Sequence, residues 1–369
     1  MPPLIRYILP VLLCAGLGNV PAHAFDLVLP TDNKALLEGR PEDFYQFVDR
    51  TTLDGQKTTP WEGGQFGFVR DARKMTTGEV IYTRFHEGLD IKPVHRDARD
   101  EPTDEVRSMA AGEVVHVSLV AGRSNYGKYV VVKHDWGEGP FCSLYAHLSE
   151  IKCEEGQKVQ PGSVIAIMGH TGAGIDRRRA HTHTELNMFL SSHFDEWHNA
   201  IAPTPNYHGN WNGMNLTGID LAGLYLAHAK NDDVSVAALV KKTEPYFRVA
   251  VPGSAEMEIV KNYPWLCSAP APTTNPASWQ VTFSAWGLPL KVEPGTEIVE
   301  APQVVWVKPS TIAHYSLARH LLNGVGSTAR LSNDGESYVR LACGLEMVRK
   351  ASPDAPVTLK AGKKKKAKG

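Results

Sequence analysis

The sequence predicts a mainly β protein, with an antiparallel β core in its first half and a smaller α+β lobe after it. Between His86 and about Leu190, short runs rich in β-branched and aromatic residues alternate with glycine turns: GEVVHVSLV, YGKYVVVKHDW, FCSLYAHLS, GQKVQPGSVIAIMG and AHTHTELNMF. None keeps a long helical period, and the partial alternation in KYVVVKHD suits strands of an antiparallel sheet. After Leu190 the texture changes: GIDLAGLYLAHAK and VSVAALVKK carry helical patterns between strand-like runs.

In chain order, residues 1–24 read as an export signal. Arg6 precedes the apolar run Tyr7 to Leu17, and Ala22-His23-Ala24 forms a small-x-small cleavage pattern before Phe25. The run is too short to span a bilayer. Cys14 raises a lipoprotein alternative, against which Leu13 is bulky where such sites prefer a small residue. Residues 25–80 form a segment packing on or leading into the core, with a short helix expected at PEDFYQFVDR and strands at GGQFGFVRD and GEVIYTRF. Residues 81–200 are the core domain. In residues 201–350, YFRVAVP, SWQVTFSAW and QVVWVKP read as strands, HYSLARHLLNG as a helix with a glycine stop, and SYVRLACGLEMV as either. Residues 351–369 are a basic tail in which Lys363, Lys364, Lys365 and Lys366 make a solvated end, with weak contact to an anionic envelope as the minority reading.

The chain has 369 residues, enough for two domains and a core that needs no stapling. Its formal net charge of −1 supplies no basic excess to neutralise phosphates, which argues against a nucleic-acid partner. Removing the signal leaves Cys142, Cys153, Cys267 and Cys343, an even count compatible with disulfides, of which Cys142–Cys153 with Cys267–Cys343 is the simplest of three connectivities. Sequence does not choose between bridged and free thiols.

The chemistry gathers in three places. In AHTHTEL, an extended backbone puts His181, His183 and Glu185 on one face. Upstream stand FHEGLD, with His86 and Asp90, and LYAHLS, with His147. Two imidazoles and a carboxylate suit zinc, whose catalytic sites hold three protein ligands and keep a position for water. Such a water has a pKa near about 7, so hydroxide is available at neutral pH. Seen alone, each histidine has an ordinary reading as a turn or strand-end residue.

The order of these pieces resembles the lysostaphin-type zinc metalloendopeptidases, or LytM domains, with the duplicated hybrid motif fold. HEGLD is similar to the family's His-x-Gly-x-Asp, and HTHTEL to its His-x-His with a trailing glutamate. AAGEVVHV, YGKYVVVKH, YAHLSEI and GQKVQPGSVIAIMGHTG resemble the strands and turns between them. The resemblance covers roughly His86 to Phe189. It implies zinc held by His86, Asp90 and His183, with His147 and His181 as unliganded catalytic histidines. Glu185 on the same face is expected to orient a ligand histidine. The implied function is an exported enzyme, periplasmic or extracellular, that hydrolyses peptide bonds in bacterial cell-wall peptidoglycan.

Two departures stand out. IKPVHRDARDEPTDEVRSMAAG reads as a charged loop insertion, and TGAGIDRRRAHTH is longer and more basic than the family's approach to His-x-His. Arg177, Arg178 and Arg179 in the second are candidates for holding a substrate carboxylate bidentately, against a solvated loop as the plain alternative. Asn33 is a candidate by type for a latency contact on the metal, and otherwise a turn residue. Trp265, Trp279, Trp286 and Trp306 offer a glycan-stacking surface or, more usually, core packing. Other functions remain open: an iron(II) oxygenase, whose facial triad uses the same residue types, a wall-binding or hydrolase-activating module of little activity, and a zinc D,D-carboxypeptidase-like enzyme.

Overall fold

The computed structural model describes residues 26–47, 60–231, 233–255, 257–268 and 275–346. The expected export signal and the Lys363–Lys366 tail lie outside the described residues. In chain order the strands of the first half are β1 (Gly67–Lys74), β2 (Val80–His86), β3 (Leu89–Ile91), β4 (Glu105–Arg107), β5 (Gly112–Ser118), β6 (Tyr129–Asp135), β7 (Pro140–Ala146), β8 (Leu148–Ile151), β9 (Lys158–Val159), β10 (Val164–Met168) and β11 (Thr182–Phe189). A short helix α1 (Pro41–Phe44) precedes them, and α2 (Phe194–Ile201) and β12 (Leu216–Ile219) follow.

Seven of these strands make the central sheet, in the order β12-β11-β7-β6-β5-β9, with β3 also paired to β11. Their pairings are antiparallel, as the glycine-punctuated runs predict. Because β12 belongs to this sheet, the sheet extends past residue 200. β4, β10 and β8 form a three-stranded sheet beside it, and β1 and β2 form a separate hairpin.

Side-chain alternation gives the central sheet two different faces. Val130 and Val132 of β6 and Tyr145 of β7 enter the large core, where each fully buried aliphatic side chain contributes roughly 1.5–3 kcal/mol. The intervening Tyr129, Val131, Cys142, Leu144 and Ala146 form a smaller apolar cluster on the other face. That face continues onto β11 as Asn187, Glu185 and His183, which stand opposite Cys142, Leu144 and Ala146.

The second half carries α3 (Leu221–His228), α4 (Val236–Lys242), β13 (Phe247–Pro252), α5 (Glu258–Asn262), β14 (Ser278–Phe283), β15 (Pro289–Gly295), β16 (Gln303–Val307), α6 (His314–Leu317), β17 (Leu322–Asn323), β18 (Arg330–Leu331) and α7 (Asn333–Ala342). Strands β15-β14-β13-β16 form an antiparallel sheet. Polar ties fix this lobe to the core: the Tyr263 hydroxyl donates to the Pro140 carbonyl at 2.6 Å and accepts from the Phe189 N–H at 2.8 Å. Trp286 Nε1 donates to the Gly218 carbonyl at 2.9 Å. The helix expected at HYSLARHLLNG stops at Leu317, because Arg319 (φ 46°) and His320 (φ 64°) both adopt left-handed backbone.

All four described cysteines are free thiols, so the disulfide alternative is not realised. Cys142 lies in the apolar cluster on one face of the sheet and Cys153 packs against the core on the other, which keeps the two apart. Burial pushes the Cys142 thiol up to about 12. Among the described residues no helix is long and apolar enough to cross a membrane.

Candidate metal centre

Register in the central sheet assembles the centre. On β11, His183 sits directly opposite Asp90 of β3 on one side and Ala146 of β7 on the other. His86 ends β2, and the two-residue link Glu87-Gly88 brings the chain back as β3. A Cβ at Gly88 would stand 2.5 Å from the Thr184 carbonyl oxygen and 3.1 Å from His183 Cε1, so glycine alone lets the two metal-facing segments close up.

Three atoms then form a near-equilateral triangle. His86 Nε2 lies 3.0 Å from His183 Nδ1 and 3.1 Å from Asp90 Oδ1, and His183 Nδ1 lies 2.9 Å from Asp90 Oδ1. All three residues are buried. Ligand atoms on a tetrahedral zinc with bonds of roughly 2.0–2.1 Å stand about 3.3 Å apart, so the donor set fits such an ion closely.

The outer nitrogens fix the tautomers. His86 Nδ1 lies 2.7 Å from the Gln65 carbonyl oxygen, which can only accept, so that nitrogen carries the hydrogen and Nε2 presents a lone pair. His183 Nε2 lies 2.7 Å from Glu185 Oε1, which keeps the hydrogen on Nε2 and leaves a lone pair on Nδ1 in the same way. Two lone pairs and a carboxylate oxygen facing one another at 3 Å repel unless a cation lies among them. Burial penalises a charged His183, but the carboxylates of Asp90 and Glu185 outweigh it and raise the imidazole to about 10, so a proton can take the cation's place. Burial opposes ionisation of Asp90 as well, yet His86, His181 and Arg70 hold its carboxyl well below the usual range.

Two more histidines face the same space. His147 turns the corner between β7 and β8 in a left-handed conformation (φ 62°), an uncommon state for a residue without glycine's freedom. Its Nδ1 donates to the Thr171 carbonyl at 2.8 Å, and His181 Nδ1 donates to the Arg179 carbonyl at 2.6 Å. Both Nε2 atoms are thereby released, that of His181 lying 3.4 Å from Asp90 Oδ1. The His147 and His181 rings are 4.8 Å apart. Burial, then the neighbouring His181 and His183, hold His147 well below the ordinary imidazole range and therefore neutral.

These side chains open into a cavity of about 860 Å³. Of the three expected arginines, only Arg179 lines it; Arg177 Nε pairs with Glu101 at 2.8 Å and tethers the charged loop instead. Asn33 stands in a buried turn, its amide donating to the Asp43 and Lys92 carbonyls and its oxygen accepting from the Ala35 N–H, so the latency contact is not made. Trp286 packs on Phe85 and Trp279 is buried, while Trp265 and Trp306 line a separate cavity.

Three neighbours carry no signal in the sequence. Arg70 Nη2 meets Asp90 Oδ2 at 2.5 Å and leaves Oδ1 to the triangle. The Tyr126 hydroxyl donates to Glu185 Oε1 at 2.7 Å, and its ring lies 5.6 Å from that of His183. Arg319, from the C-terminal lobe, pairs with Glu87 inside HEGLD and sits 5.8 Å above the Phe85 ring.

Residues 84–195 match the family model described as peptidase family M23. That stretch resembles an M23 domain. Among solved structures, the chain is similar to the catalytic domain of the antimicrobial peptidase lysostaphin from Staphylococcus simulans, at 20% identity over 33% of this chain and 76% of that one, with a TM-score of 0.24. It is similar to the catalytic domain of the prophage-encoded M23 protein EnpA from Enterococcus faecalis, at 23% identity over 29% and 70%, TM-score 0.23. A zinc containing peptidase from Vibrio cholerae matches at 24% identity over 37% and 42%, TM-score 0.22. No curated protein matches the sequence. The family is one of peptidases, and the His-Asp-His set of this chain is chemically suited to zinc.

Proposed function

We propose that this chain is an exported zinc metalloendopeptidase that hydrolyses peptide bonds in bacterial peptidoglycan, in a stem peptide or a cross-link. The observation that carries the reading is the buried triangle of His86 Nε2, Asp90 Oδ1 and His183 Nδ1, with two further histidines aimed at the same space. Export rests on the pattern of residues 1–24.

In this reading His86, Asp90 and His183 hold the ion, which when bound polarises a water and the scissile carbonyl. Glu185 keeps the proton of His183 on Nε2, and Tyr126 keeps Glu185 in place by donating to it. Arg70 occupies the second oxygen of Asp90, so the carboxylate presents one oxygen inward. His147 and His181, each anchored through Nδ1–H to a backbone carbonyl, present Nε2 to the substrate. A neutral Nε2 takes the proton of the attacking water, and a protonated one donates to the oxyanion that develops on the carbonyl. His147, held neutral at rest, suits the proton-accepting part.

The test is to incubate the purified protein with defined muropeptides, with and without chelator, and to identify products by mass. Internal cleavage that chelator abolishes and zinc restores is expected. Release of only a terminal residue would favour the carboxypeptidase alternative, and intact muropeptides would overturn the reading.

A further inference from the structure

Strand β2 delivers more than His86 to the cavity. Its exposure alternates, with Ile81, Thr83 and Phe85 buried, so Tyr82 and Arg84 share the face of His86. Arg84 is two residues upstream of that ligand, exposed, and lines the cavity. Across the hairpin it stands opposite Arg70. Like charges facing one another in a strand pair are destabilising. Arg70 is matched by Asp90 and Arg319 by Glu87, the Arg179 guanidinium donates to the Gly174 carbonyl, and Arg73, the other arginine of the lining, stands opposite Ile81, further along the hairpin from His86. No carboxylate among the described residues pairs with Arg84.

The strand is also held rigid from behind. Phe85 stacks on Trp286 of the C-terminal lobe at 5.1 Å with 14° between the rings, and meets Phe66 edge-on at 5.1 Å. Arg319 covers the same Phe85 ring. So anchored a strand fixes the point and direction from which the Arg84 side chain leaves the backbone, so no backbone ordering is needed to use it.

We infer that Arg84 is the specificity residue of the cleft, taking a free carboxylate of the substrate peptide beside the scissile bond. This rests on the endopeptidase reading and names the substrate class within it: acidic peptides over their amidated counterparts. The planar guanidinium matches a carboxylate bidentately and has no chemistry to offer a carboxamide of comparable strength. It also gives the C-terminal lobe a part, as the support that aims β2.

The test compares stem peptides carrying free carboxyl groups with the same peptides amidated, using the zinc-loaded full chain and its Arg84→Gln, Arg84→Lys and Arg84→Glu variants. The readouts are kcat/KM for each form, Kd by calorimetry where neither form is hydrolysed, and zinc content. Wild type is expected to favour the acid by about tenfold. Arg84→Gln brings the ratio near one through KM, Arg84→Lys keeps part of it, and Arg84→Glu inverts it, all with zinc content unchanged. Absence of hydrolysis defeats the endopeptidase reading and leaves the Kd ratio to judge Arg84. No acid preference in wild type, the same ratio in Arg84→Gln, or a ratio lost only together with zinc would overturn the assignment.

Discussion

The two faces of the central sheet each bury a histidine network, and the networks are built to opposite rules. On the core face, His134 Nδ1 donates to the Ala111 carbonyl at 2.8 Å, and Ser143 Oγ links His134 Nε2 at 2.7 Å to the Tyr145 hydroxyl at 3.0 Å. The Tyr145 oxygen in turn accepts from the Met109 N–H at 2.7 Å. Each ring nitrogen has its answer, and burial lowers the imidazole to about 4, so it stays neutral. On the cleft face, the outer nitrogens of His86 and His183 are answered in the same way, but the inner two point at each other and at a carboxylate. A buried histidine with both nitrogens satisfied is a structural bolt. One whose remaining lone pair faces other donors of negative charge is half of a cation site.

The sharpest way to break this comparison is to remove a corner of the triangle. His183→Ala or Asp90→Ala should reduce muropeptide cleavage to the level of chelated wild type, because a site short of one donor no longer retains the ion. Next in size, His147→Asn and His181→Asn should retain zinc and lose about 10²–10⁴-fold in kcat, as expected for groups that move or donate protons. Metal analysis alongside the kinetics distinguishes these from the ligand variants. Glu185→Gln weakens the hold on His183 without touching the ion, so zinc affinity should fall about 10–100-fold in competition with a chromogenic chelator.

The smallest effects lie on the core face. His134→Gln should cost about 1–3 kcal/mol in denaturant unfolding, from a disturbed buried hydrogen-bond chain, and leave kcat/KM unchanged. Its pH dependence has a definite sign. Between the ordinary value of 6.5 and the folded value of about 4, the unfolded chain binds a proton that the folded protein refuses. Stability from this group is therefore complete above 6.5 and lost as pH falls towards 4, at up to about 1.4 kcal/mol per pH unit. The His134→Gln variant should show a shallower fall over that window.

What the sequence disclosed follows from this difference. HEGLD and HTHTEL were legible because few residue types bind a metal and because period-two alternation alone places His181, His183 and Glu185 on one face. The antiparallel core was legible from glycine spacing. Arg70, Tyr126 and Arg319 were not, since each acts on a partner fixed only by tertiary packing, in the last case from near the other end of the described chain. Arg177 to Arg179 looked like a cleft feature by proximity to His181, yet Glu101 in the charged loop draws Arg177 aside. In the C-terminal lobe, β15 was missed because Lys291, Glu293 and Pro294 interrupt its apolar alternation, and α6 was overextended because nothing in HYSLARHLLNG announces two left-handed residues before the glycine.

The most direct measurement of the central claim is a calorimetric titration of metal-free protein with zinc at neutral pH, run on wild type, His134→Gln and His183→Ala. One tight site per chain is predicted for the first two and none for the third. Equal uptake by His183→Ala, or no uptake by wild type, would contradict it.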